Sequence, residues 1–240
     1  MNVLKSIVAA LQFMTMLPLP VNTDPHHLAR SITWFPLAGM VVGGLCGAGL
    51  LGLNQIFPPA IAGALAIALY IIITRGLHMD GFMDTIDGFF SRKSTEKILA
   101  IMKESTVGSF AVLGAGVWFL IVFTTLPRIQ WFDLIMIHGL ARFAITLQPL
   151  IFSYPRQSGT GKFFVDNTKA PTFFIELILI AAALWYVKPS YLIALAISLV
   201  VSLCAGAWSK RMIGGITGDT TGFTIEAVHL VLLLTLTIKL

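Results

Sequence analysis

Apolar residues run through this chain in long blocks, and the polar residues between them cluster rather than alternate. No charged residue occurs between Arg30 and Arg75. A membrane-spanning helix needs about 20 apolar residues, so this stretch is long enough for two. Asn54, Gln55, Pro58 and Pro59 mark the turn between them. The pattern predicts spans over roughly 32–53, 60–77, 107–127, 134–154, 171–187, 189–209 and 223–239. The fourth carries His138 and Arg142, the fifth Glu176 near one end, and the seventh Glu226 and His229 near its start. Residues 2–17, ended by Pro18 and Pro20, lack a small-residue cleavage pattern. They predict a retained helix that lies on the membrane or partly enters it. The fold expected is a single domain over 1–240: an all-α, polytopic integral membrane bundle of about seven spans plus an N-terminal amphipathic or membrane helix. Gly39, Gly43, Gly44, Gly47, Gly49 and Gly52 predict close helix packing through small residues.

Composition strengthens this picture. Hydrophobic residues make up 57% of the chain and charged residues 11%, against about 25% charged in an average soluble protein. A soluble domain has too little polar surface to cover so many apolar residues, and a lipid bilayer removes the difficulty. The net charge is +5. It sits in short loops rather than on one stripe, so a bilayer and not nucleic acid is the expected partner. Lys5, Arg30, Arg92, Lys93, Lys97, Lys103, Arg156, Lys162, Lys169, Lys210 and Arg211 fall in one set of loops, with Arg75 at its edge; Arg128, Lys188 and Lys239 fall in the other. The positive-inside rule puts the first set in the cytoplasm, at the cell (inner) membrane. Cys46 and Cys204 each lie inside an apolar run and are expected to be small core residues.

Candidate chemistry concentrates after the second span, in His78-Met-Asp80-Gly-Phe-Met-Asp84-Thr-Ile-Asp87-Gly88. On a helix Asp80, Asp84 and Asp87 share one face, within an arc of roughly 60°. Three of the chain's 11 acidic residues fall in this one short segment. Stability does not explain them, because like charges repel and Asp is a poor helix former. A bound divalent cation does. All-oxygen ligation suits Mg²⁺, Mn²⁺ or Ca²⁺ rather than Zn²⁺, and Mg²⁺ commonly takes a few carboxylates plus substrate phosphates. Asp80, Asp84 and Asp87 are the expected metal ligands, and His78 a candidate substrate contact or a satisfied interfacial residue.

Further candidates follow. Glu104 and Lys103 stand in Ile101-Met-Lys-Glu104-Ser-Thr-Val-Gly108. The run Gly214-Gly-Ile-Thr217-Gly218-Asp219-Thr220-Thr-Gly222 joins two spans, where turns expose backbone N–H groups able to bind anions. No Gly-Lys-Ser/Thr follows, so it is not a Walker loop. Thr217, Gly218 and Thr220, with Lys210 and Arg211 before them, are candidates for diphosphate contact; Asp87, Glu104 and Asp219 are candidates for the metal shell or the base. Two roles are open to the intramembrane Arg142: neutralising an acid, or contacting a phosphate. Glu226 and His229 form a single Glu-x-x-His pair, which excludes a di-iron bundle because that needs two.

Three segments together resemble the cobalamin synthases, also called adenosylcobinamide-GDP ribazoletransferases. They are Phe35-Pro36-Leu37 with Gly39, His78-x-Asp80-Gly81-x-x-Asp84-x-x-Asp87-Gly88, and Gly215-x-Thr217-Gly218-Asp219-Thr220-x-Gly222 followed by Glu226. A fourth, around Glu104, resembles a family stretch that often has Asp at that position. The resemblance implies a Mg²⁺-dependent enzyme that joins adenosylcobinamide-GDP to α-ribazole or its 5′-phosphate and releases GMP. The acidic segment is also similar in logic to that of the CDP-alcohol phosphotransferases, whose full spacing it lacks. From the residues alone, a phospholipid-head-group transferase and a membrane transporter are the competing readings.

Overall fold

The computed structural model describes residues 2–22, 24–156 and 159–238; Lys239, counted above among the loop charges, lies outside them. Every regular element among the described residues is helical. The N-terminal helix α1 (Asn2–Met14) has 13 residues, too short to cross a bilayer. One end leaves Val3 and Leu4 exposed while Ala9, Ala10 and Met14 are buried. Met16 N–H donates to the Ile73 carbonyl at 2.8 Å, which fixes the following segment to the bundle.

Asp24 caps the next helix, α2 (Pro25–Ser31), by accepting the His27 N–H at 2.9 Å, and Pro sits at its first position, where no N–H is needed. A 3₁₀ turn over Ile32–Trp34 leads into α3 (Phe35–Leu53), so that one helical span candidate runs over His27–Leu53. Three glycines of α3 meet α8 (Asp133–Ala144) and the residues just before it backbone to backbone, whereas Gly44, Gly49 and Gly52 do not. A β-carbon on Gly39, Gly43 or Gly47 would collide with the carbonyl oxygen of His138, Leu134 or Trp131. Their i, i+4, i+8 spacing forms one small-residue stripe, which lets the two backbones approach closely.

α4 (Pro59–Thr74) ends where Arg75 and Gly76 both adopt left-handed conformations, with φ of 55° and 65°. The chain turns by 93° into α5 (Leu77–Phe90). α5 therefore leaves the direction of the span and carries the acidic face along the end of the bundle. The short α6 (Thr95–Ile101) packs Ile98 and Met102 against Phe89 of α5 and Ile213. Then follow α7 (Ser109–Thr125), α8, a 3₁₀ turn over Ile145–Leu150, α9 (Thr160–Asn167), α10 (Ala170–Val187), α11 (Tyr191–Ile213) and α12 (Gly218–Thr237).

Among the described residues, five helical segments are long and apolar enough to span, and a sixth arises only if the bent α4–α5 pair counts as one. The expectation of about seven is revised at two places. The segment expected over 60–77 is cut short by the left-handed pair Arg75–Gly76. The one expected over 134–154 is a 12-residue helix followed by a 3₁₀ turn containing Pro149. α8 is wrapped by other helices, so it escapes the length that a lipid-facing helix needs. Cys46 is buried as expected, whereas Cys204 is exposed on α11.

Several polar residues inside the bundle bond one another. Tyr70 donates to Glu226 at 2.6 Å, Glu226 lies 3.1 Å from His229 Nδ1, and the His138 and His229 ring centroids are 4.3 Å apart. Gln148 donates to Thr224 at 2.9 Å and to the Ser202 carbonyl at 3.0 Å, joining α11 and α12. Buried polar groups in hydrocarbon are tolerated when paired in this way.

Candidate active site

The site is assembled by contact between α5 and the first turn of α12. Thr217 is the N-cap of α12: its hydroxyl accepts the Thr220 N–H at 3.3 Å, and the Thr217 N–H donates to the Thr220 hydroxyl at 2.8 Å. This reciprocal capping box fixes the turn. It engages both hydroxyls, and Thr220 is buried. A β-carbon on Gly218 would meet nothing within 4 Å, and the residue opens the helix, where backbone N–H groups lack intrahelical partners and favour anions.

Asp219, next along, reaches two partners. Arg156 Nη2 lies 3.0 Å from its Oδ2, and the Thr217 hydroxyl lies 3.4 Å from the same atom. Gly81 on α5 allows this turn to approach, since its open side faces the Asp219 backbone. Asp80 and Asp219 thus line one cavity of about 330 Å³, together with His78, Tyr154, Arg156 and Gly218. Its inner wall is apolar. Phe13 stacks on Phe35 at 5.8 Å, and Phe164 meets both edge-on, at 5.1 and 5.2 Å. The N-terminal helix, through Phe13 and Met14, is part of the site.

Asp84 lies half-buried one turn beyond Asp80. Burial raises its pKa to about 7, with Asp80, Asp219 and Asp87 adding repulsion and Arg156 opposing it. Four carboxylates from two distant segments therefore act on one another. Asp87 is engaged differently. Its two oxygens accept the Gly108 N–H at 2.6 Å and the Ala111 N–H at 2.8 Å. It caps the N-terminus of α7 from another helix, a role its spacing did not suggest.

Other candidates lie elsewhere. Lys103, Glu104, Lys210 and Arg211 are exposed and do not line this cavity; Glu104 lies 3.5 Å from the Thr106 hydroxyl. Arg142 is fully buried behind the site, 3.4 Å from both His138 Nδ1 and His78 Nδ1. It makes no ion pair among the described residues. It holds His78, which faces the cavity. Arg156 and Tyr154 were missed, because a single loop Arg after a Tyr-Pro carries no pattern until the fold brings it to Asp219.

Among the described residues, no three His, Cys, Asp or Glu side chains form a ready metal cage. The donor set still fits Mg²⁺, an ion that takes a few carboxylates and completes its shell with water and substrate phosphate. The mutual repulsion at Asp84 is the electrostatic condition that a cation relieves.

Comparison with known proteins gives the same direction. An adenosylcobinamide-GDP ribazoletransferase of Caldanaerobacter subterraneus subsp. tengcongensis is 32% identical over 96% of this chain and 97% of its own length. Relatives of the same description from Chlorobaculum tepidum and Deinococcus radiodurans are 36% and 34% identical, over 94% and 95% of this chain and 92% and 84% of their own. No solved structure matches. The family described as cobalamin-5-phosphate synthase matches residues 6–237, and the chain belongs to that family.

Proposed function

We propose that this protein transfers the adenosylcobinamide phosphate moiety of adenosylcobinamide-GDP to α-ribazole or α-ribazole 5′-phosphate, with release of GMP. The observation that carries this reading is the convergence of Asp80, Asp219 and Arg156 on one cavity with an apolar aromatic wall. A diphosphate joined to a bulky organic group calls for that combination.

Each residue has a part. Arg156 and the open N–H groups at Gly218 bind the diphosphate. The acceptor hydroxyl attacks the phosphorus on the corrinoid side. An O–P bond forms there, and the bond to the bridging oxygen breaks with its electron pair leaving on GMP. Asp219, oriented by Arg156 and Thr217, receives the hydroxyl proton. Asp80 and Asp84 would hold Mg²⁺, which when bound supplies positive charge against the phosphates. Phe13, Phe35 and Phe164 exclude water from the apolar side. His78, kept in place by Arg142, borders the reacting groups.

The deep polar residues that left a transporter open bond one another in the core, so they favour no transport path. The basic loops support a cytoplasmic site. A cysteine placed at Ser94 is then labelled only from the cytoplasmic side, and labelling from outside intact cells would reverse this orientation. The decisive assay is GMP release by purified protein given adenosylcobinamide-GDP, α-ribazole and Mg²⁺. Release that needs all three is expected; a CDP-alcohol accepted in place of the corrinoid would overturn the assignment.

A further inference from the structure

α10 contributes one buried residue, Phe173, to the bundle, while Phe174, Ile175, Ile178 and Leu179 are 57–67% exposed. Most of its surface therefore suits lipid. One face differs. Lys169, at its N-cap, and Thr172, Phe173 and Glu176 stand at i, i+3, i+4 and i+7, and so share a side of the helix. All four line a second cavity of about 330 Å³. Arg30, Thr33 and Trp34 form its opposite wall.

The charges in this cavity are arranged by depth. Arg30 and Lys169, which line it, are exposed, whereas Glu176, two turns further along α10, is half-buried. Seven residues of helix separate Lys169 from Glu176, about 10 Å along the axis. None of the three is in an ion pair among the described residues. An anion is thus favoured at the mouth and a hydrogen-bonding or basic group about two helical turns deeper, with hydroxyls and aromatic rings between. A phospholipid headgroup suits this poorly, because its phosphate and amine lie at nearly one depth. A nucleoside phosphate suits it well: phosphate outermost, sugar hydroxyls in the middle, and a flat nitrogen heterocycle innermost.

We infer that this second cavity binds the acceptor nucleoside, with Arg30 and Lys169 on its 5′-phosphate and Glu176 on a ring nitrogen of its base. The inference rests on the reaction proposed above and specifies where its second substrate sits. The two cavities are neighbours. Ile32 lines both, while the adjacent Ile145 and Thr146 face the first and second respectively. Ile32 is thus common to both, and the sugar, midway along the ligand, lies at this shared edge, where its hydroxyl faces the diphosphate. Thr33 and Thr172 bracket the sugar, and Trp34 and Phe173 cover the base.

The test compares the two acceptors. KM for α-ribazole and for α-ribazole 5′-phosphate is measured with adenosylcobinamide-GDP saturating, in the parent protein, in the double variant R30A/K169A, in Glu176→Leu and in Glu176→Gln. Removing two charge-assisted contacts is expected to raise KM for the phosphate on the order of tenfold more than KM for α-ribazole. Glu176→Leu, which removes the hydrogen-bonding group, is expected to raise KM for both acceptors while kcat holds, and Glu176→Gln, which can still donate to the ring nitrogen, to raise it less. Arg30 and Lys169 are exposed and Glu176→Gln is isosteric, so folding is retained. An equal effect of the double variant on both acceptors overturns the inference. So do unchanged KM values accompanied by altered dependence on lipid composition, which would mark a lipid site. Either result leaves GMP release in the parent protein, and hence the reaction, intact. Calorimetric titration with α-ribazole 5′-phosphate alone gives a second reading: the double variant must bind more weakly than the parent protein.

Discussion

Gly81 and Asp219 touch without a side chain between them: a β-carbon at position 81 would lie 2.8 Å from the Asp219 carbonyl oxygen and 2.9 Å from its Cα. Both obstacles are backbone and cannot rotate away. Gly222 makes the reverse approach, with its β-position 3.0 Å from the His78 carbonyl oxygen. Gly81→Ala therefore has to push α5 off α12. A loss of about 1–3 kcal/mol is expected from overpacking, together with loss of GMP release as Asp219 moves from Asp80. Gly116→Ala, where nothing lies within 4 Å, is the control and should be neutral or stabilising by about 0.5–1 kcal/mol. Thermal unfolding in detergent, run beside the GMP assay, reads both. Normal activity in Gly81→Ala would show that this contact does not build the site.

Asp84 ties stability to pH. An unperturbed Asp titrates near 4, whereas burial and three neighbouring carboxylates raise Asp84 to about 7. Between those values the folded protein keeps a proton that the unfolded chain has lost. Its stability without metal should fall as pH rises across that window and level off above it. Asp84→Asn should flatten the slope without lowering the unfolding temperature, and should abolish turnover. Added Mg²⁺ should stabilise the parent protein more at pH 8 than at pH 6, since ligation needs the ionised form. A metal-free unfolding temperature that does not vary across pH 5–8 would contradict the carboxylate cluster.

Asp87 should matter to stability through its hydrogen bonds. Its bonds to Gly108 and Ala111 at 2.6 and 2.8 Å hold the start of α7. Asp87→Ala should cost about 1–3 kcal/mol, the range for leaving buried donors unpaired. Asp87→Asn, which keeps an acceptor, should cost less. Because the residue serves a helix, the loss should appear in unfolding temperature before it appears in kcat. An Asp87→Asn protein of unchanged stability and no activity would return this carboxylate to the metal.

Arg156 and Asp219, 3.0 Å apart, should act as one unit. Arg156→Ala and Asp219→Ala are each expected to be severe in rate, and the double variant far less than multiplicatively worse. A double-mutant cycle on GMP release measures this, and fully multiplicative losses would mean independent roles.

Spans, loops and the acidic face were legible in the chain because hydrophobic blocks and i, i+4, i+7 spacing are local properties. The Gly- and Thr-rich turn before the last span was legible for the same reason, although α12 starts at Gly218 and not at 223. The family's motif order was legible too. Other features belong to tertiary structure. Arg75 and Gly76 turn α5 out of the span, a left-handed pair that hydropathy does not register. Gly108 and Ala111 claim Asp87, although nothing in the spacing separates it from Asp80 and Asp84. Arg156 reaches Asp219 from 63 positions away, and α1 supplies Phe13 to the same cavity. Helical periodicity says which residues share a face; it cannot say which other backbone will lie against that face. That depends on where glycines permit contact, and it is the contact of Gly81 with Asp219 that turns two separate polar segments into one site.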